Sequence, residues 1–106
     1  MSSSFPSSDY CARRLKALAD ETRFHILQLL REKPRFVGEM NTLIPIEQSL
    51  LSHHLKILRN EGLVTAQRVG KGVLYDLAPE VAQFREEGLN LGCCLLQFTN
   101  SNKNQC

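Results

Sequence analysis

EQSLLSHHLKILRNEGL, residues 47–63, decides the fold. Leu50, Leu51, Leu55, Ile57 and Leu58 recur near helical spacing and make one apolar stripe. Gln48, Ser49, Ser52, His53, Lys56 and Arg59 fall largely on the other side. That face offers amide, hydroxyl, imidazole and cationic groups but no carboxylate. A solvated helix face ordinarily mixes both signs, so the missing acids point to an anionic partner. Asn60-Glu61-Gly62 ends the helix, with Gly62 at the position after the cap, where positive φ is tolerated.

Downstream the apolar period changes to two. LVTAQRV (63–69) reads as a strand, Gly70-Lys71-Gly72 as a tight turn and VLYDL (73–77) as the partner strand, with Arg68 and Lys71 near the tip. Upstream, Asp9 is a candidate cap for a first helix reaching about Leu18. Asp20 is a better cap for a second helix over 21–32, with Glu21 in its first turn. Pro34 ends that helix, and a shorter one over about 36–44 stops at Pro45. Pro79 is placed to open a last helix running to about Phe98, whose second half is apolar nearly all round despite Gly88 and Gly92. Such a helix in a small domain is expected at a dimer interface. The expected order is α-α-α-α-β-β-α: mainly α with a β-hairpin. Residues 1–8 are expected to be a disordered tail, 9–98 the folded domain and 99–106 a flexible tail ending in cysteine.

At 106 residues the chain is one domain. A net charge of +2 is too small to argue for nucleic acid by itself, so the local charge pattern has to carry that reading. No apolar run is long enough to span a bilayer, so no membrane partner is expected. MSSSFPSSDY lacks the basic and apolar regions of a signal peptide, so a cytoplasmic location with reduced cysteines is expected. No Ser-His-acid spacing and no phosphate loop stand out, so the chain is not read as an enzyme.

Three segments carry a resemblance: LKALADETRFHILQLL (15–30), LLSHHLKILRNEGLV (50–64) and RVGKGVLYDL (68–77). In this order and spacing they closely resemble the arsenic-repressor (ArsR/SmtB) family of bacterial metal-sensing transcription factors. The resemblance implies a winged helix-turn-helix, a homodimer joined through the first and last helices, and a repressor that leaves its operator when an effector binds. The 47–63 helix would then lie in the major groove of double-stranded DNA. Gln48, Ser49, Ser52 and His53 would reach bases or phosphates, and Lys56, Arg68 and Lys71 would neutralise phosphates. His53 and His54 point about 100° apart on a helix, so one is expected to face DNA and the other to bond locally.

The chain departs from the family at its metal sites. Phe36 and Gly38 stand where many members carry a C-x-C pair, and the last segment lacks the histidines of the zinc-binding members. The remaining candidates are Cys93, Cys94 and Cys106, with Cys11 as the alternative third ligand. Thiolates select soft ions, and three of them without histidine suit As(III) or Sb(III) better than tetrahedral zinc. Some arsenic-responsive members resemble this arrangement, pairing two late cysteines with one further cysteine. Cd(II) or Pb(II) would need one more donor, which Cys11 could supply. A thiol-redox or persulfide switch and cysteines that merely pack are the other readings.

Overall fold

The computed structural model describes residues 8–99. Four helices come first: α1 (Ser8–Leu18), α2 (Glu21–Glu32), α3 (Val37–Leu43) and α4 (Gln48–Asn60). The Asp20 carboxylate accepts the Arg23 backbone N–H at 3.0 Å and so caps α2 as expected. Asp9 lies inside the first turn of α1 instead, where its carboxylate receives Arg13 from the next turn at 3.1 Å. Ser8, expected in the tail, opens α1. Glu61 ends α4, and Gly62 follows with φ +73°.

Between α2 and α3 the chain makes a two-residue strand, β1 (Arg35–Phe36), that the sequence reading assigned to the break and the third helix. Two residues are too few to display a period, and their pairing is imposed by a neighbour distant in sequence. β1 adds to the edge of β3 (Gly72–Leu77), which also pairs with β2 (Val64–Val69), giving the antiparallel order β1-β3-β2. Val69 pairs with Gly72, so Gly70-Lys71 is a two-residue turn. Gly70 has φ +61°, the left-handed conformation that a tight hairpin needs at its first position.

The expected last helix is absent among the described residues. In its place stand a 3₁₀ turn (Val81–Phe84) and a second hairpin, β4 (Gly88–Asn90) with β5 (Leu95–Gln97). Gly88 and Gly92, despite which a helix was expected, decide this. A Cβ on Gly88 would stand 1.8 Å from the Leu96 carbonyl oxygen, so only glycine allows the strands to meet there. Gly92 takes φ +88° in the reversal, and either glycine would weaken a helix by about 1 kcal/mol. The apolar residues alternate rather than encircle: Leu89 and Leu91 are fully buried, while Leu96 and Phe98 pack on the core.

The core lies where α2, α3 and α4 meet β2 and the second hairpin. Ile26, Leu27, Leu30, Met40, Leu51, Leu55 and Leu58 fill it. The C-terminal segment is fastened to α2 by a reciprocal pair of arginines. Arg31 Nε donates to the Arg85 carbonyl at 2.9 Å, and Arg85 Nε donates to the Arg31 carbonyl at 3.1 Å. Phe98 sets its ring edge-on to Phe24 at 5.6 Å. No described helix is long and apolar enough to cross a membrane.

Candidate nucleic-acid face and thiol cluster

α4 divides much as its sequence suggests. Leu51, Leu55 and Leu58 are buried, Ile57 is half-buried, and Leu50 turns outward with 45% of its surface exposed. Gln48, Ser49, Ser52, His53, Lys56 and Arg59 are all exposed. Arg68 and Lys71 are exposed on the first hairpin. Gln48 and Ser52 share a cleft of about 410 Å³ with Lys71, Tyr75 and Phe36. The start of α4 and the hairpin tip therefore open onto one groove. Sequence reasoning missed Phe36 and Tyr75 there, because their meeting depends on the β1–β3 pairing. The Phe36 ring lies against Gly72, where a Cβ would come within 2.9 Å of it.

The two adjacent histidines differ in their surroundings. His53 is exposed, whereas the His54 side chain keeps only 12% of its surface. Arg23 donates to His54 Nδ1 at 3.1 Å. A guanidinium cannot accept, so that nitrogen carries no proton. Burial holds the His54 pKa below the ordinary 6.5, and the cation of Arg23 pushes the same way against the opposing charge of Asp20. The 3.9 Å approach of His54 to the Asp20 carboxylate is accordingly not an ion pair while the ring is neutral.

The cysteines converge. The sulfurs of Cys11, Cys93 and Cys94 all lie within 4.8 Å of one another. Cys11 and Cys93 are joined in a disulfide, correcting the expectation that all cysteines are free. Cys94 is exposed with its sulfur 3.7 Å from that of Cys93. α1 contributes Cys11, and the reversal between β4 and β5 contributes the pair. That reversal is closed by the Leu91 N–H, which donates to the Cys94 carbonyl at 2.8 Å. On a helix, adjacent cysteines would splay apart; in this turn both sulfurs stay beside α1. Cys106, the first choice for a third ligand, lies outside the described residues. Among the described residues, the alternative third ligand, Cys11, is brought to the pair. Chemically the cluster can exist as three thiols, as a metalloid or metal thiolate, or as one disulfide with one free thiol.

Residues 20–66 match the family described as "Bacterial regulatory protein, arsR family". The chain is 42% identical over 79 residues to the HTH-type transcriptional regulator NmtR of Mycobacterium tuberculosis, covering 74% of this chain and 66% of that one. It is 44% identical over 70 residues to the repressor SmtB of the same species, covering 66% of this chain and 52% of that one. Among solved structures, HlyU from Vibrio cholerae superposes with a TM-score of 0.68 at 38% identity, over 74% of this chain and 87% of that one. The homodimeric winged helix-turn-helix domain of Mb0332 from Mycobacterium bovis, described as a possible ArsR-family regulator, gives 0.67 at 33% identity, over 79% and 84%. The chain spans about half to two thirds of the length of the curated relatives it matches.

Proposed function

This chain belongs to the arsR family of bacterial transcriptional regulators, and from that premise we propose a cytoplasmic, dimeric repressor that binds operator DNA and releases it when As(III) or Sb(III) engages its thiol cluster. The observation carrying the effector reading is the meeting of Cys11, Cys93 and Cys94 within 4.8 Å. A soft trivalent metalloid is satisfied by three thiolates, and among the described residues no histidine or carboxylate completes a harder set there. The exchange balances: As(OH)₃ and three thiols give the tris-thiolate and three waters. It requires the Cys11–Cys93 disulfide to be reduced first, by a small thiol that is itself oxidised to its disulfide.

In this reading α4 enters the major groove and presents Gln48, Ser49, Ser52 and His53, while Lys56, Arg68 and Lys71 meet phosphates. The acid-free exposed face of α4 supports this assignment, as does the groove it shares with Lys71. Without a last helix, dimerisation falls to α1 and the second hairpin, where Leu15 and Leu95 stay 40% and 45% exposed. Sedimentation velocity tests it: a monomer at micromolar concentration would remove the dimer from the mechanism.

The effector is tested by a mobility-shift titration of the reduced protein with arsenite, on a duplex from upstream of its own gene. Wild type is expected to release DNA; Cys11→Ser, Cys93→Ser and Cys94→Ser are expected to hold on, and Cys106→Ser to behave as wild type. A wild-type complex that survives arsenite sinks the metalloid reading, and loss of response in Cys106→Ser instead of Cys11→Ser reassigns the third ligand.

The disulfide favours a second reading, a thiol-redox regulator of the same fold. Cys94 beside the Cys11–Cys93 bond is placed for exchange with an incoming disulfide or persulfide. Release by glutathione disulfide but not by arsenite would select it.

A further inference from the structure

Arg14 is a buried arginine, with 7% of its surface exposed, that the proposed sensing and DNA-facing residues leave unused. It follows Cys11 by three residues on α1, so the two side chains share a face. One terminal nitrogen donates to the Leu91 carbonyl at 3.0 Å, two residues before Cys93. The other lies 3.6 Å from the Glu80 carboxylate, just ahead of the 3₁₀ turn. The same nitrogen would be 2.9 Å from a Cβ on Gly62, the residue that terminates α4. The guanidinium also lies 4.9 Å over the Tyr10 ring, and the Tyr10 hydroxyl would be 2.7 Å from a Cβ on Gly92.

We propose that Arg14 is the positioning residue that couples the state of the thiol cluster to the C-terminal end of α4. The proposal rests on the reading of Cys11, Cys93 and Cys94 as the sensing group. Arg14 bridges the same two elements that the disulfide joins, α1 and the 91–94 turn. When the sulfurs exchange one another for a different partner, the spacing between these elements changes. A buried guanidinium cannot be left unpaired at small cost, so it follows the Leu91 carbonyl. Its other side faces Gly62, where the second terminal nitrogen would be 2.9 Å from a Cβ, so a guanidinium displaced that way meets backbone rather than a side chain able to swing aside. The displacement therefore reaches the bonds that close α4: the N–H groups of Glu61, Gly62 and Leu63 donate to the carbonyls of Ile57, Arg59 and Leu58 at 3.1, 2.9 and 3.0 Å.

The test is amide hydrogen exchange at Glu61, Gly62 and Leu63 in the full chain, first on reducing the disulfide and then on adding arsenite to the reduced protein. In wild type either treatment that changes the sulfurs should shift exchange by at least about 5-fold, the lower end of allosteric couplings. In Arg14→Lys the shift should fall to within about twofold, with thiol titration and sulfur–arsenic absorbance unchanged. A wild-type-sized shift in Arg14→Lys, or no shift in wild type under either treatment, overturns the proposal. Should that variant fold poorly, Glu80→Gln alters an exposed partner and should lower the shift at least about twofold; an undiminished shift counts against Arg14 equally. Arsenite that leaves the absorbance unchanged defeats the metalloid reading alone, because the reduction step still decides the role of Arg14.

Discussion

His54 shows how one neighbour assigns a residue its role. Its Nδ1 accepts from Arg23 while burial disfavours the charged ring, so the native state holds it neutral below the pH at which a free imidazole protonates. The sign follows from linkage. The stabilisation is complete above the unfolded pKa, near 6.5, and is lost as pH falls through the lowered native value, because the unfolded chain takes up the proton first. Urea midpoints at pH 7.5 and 5.5 should therefore separate more in wild type than in His54→Gln; equal separations would show that the ring contributes nothing to the pH dependence. Asp20 runs in the same direction at lower pH. The Arg23 backbone N–H holds its carboxyl below the ordinary 3.8, so the cap weakens only in stronger acid. The capping role of Asp20 was legible because it depends on the adjacent helix start. The Arg23–His54 contact was not, because its partners are 31 positions apart.

The second hairpin is the element on which the thiol cluster depends. It holds Cys93 and Cys94 beside α1 through a close strand crossing at Gly88. Gly88→Ala should cost about 1–3 kcal/mol, because the new Cβ would strike the Leu96 backbone rather than a side chain able to swing away. Gly38→Ala is the matched control: nothing lies within 4 Å of the new methyl group, and α3 gains helix propensity. Under mild oxidation Gly88→Ala should also retain more free thiol than wild type by Ellman titration. Wild-type stability and wild-type disulfide yield in this variant would show that the crossing is not what aligns the cysteines. This element was misread as a helix because period and hydrophobicity are ambiguous in a short apolar run. The deciding contact is between Gly88 and a backbone eight residues away, which no local pattern displays.

For the whole molecule the disulfide matters through the loop it closes, since Cys11 and Cys93 are 82 positions apart. That loop includes α2, α3, α4 and the first hairpin, so the bond restricts the unfolded chain across almost the entire domain. Reduction should lower stability by about 2–4 kcal/mol, read as a shift of the urea midpoint that is absent in Cys11→Ser. Identical midpoints before and after reduction would mean that the bond does not constrain the unfolded state. The arrangement also sets a condition on sensing. Oxidised, the cluster offers one thiol and the domain is braced; reduced, it offers three thiols on a looser frame. Arg14 spans both ends of that frame, and one of its nitrogens would lie 2.9 Å from a Cβ on Gly62 at the end of α4.

By itself the sequence determined the elements whose causes are local. The Asp20 cap, the amphipathic α4 with its acid-free face, the Gly62 stop and a tight turn within Gly70-Lys71-Gly72 each follow from residues within a few positions of one another. It also carried the family, because three motifs keep their order and spacing. Tertiary structure alone decided that the C-terminal apolar run folds back as a hairpin, that β1 joins the sheet, that Arg14 lies against Gly62, and that Cys11 meets Cys93. The physical reason is common to all four. Each is a contact whose partner lies elsewhere in the chain, and residue chemistry states what a side chain can bond to without stating what the fold will bring to it.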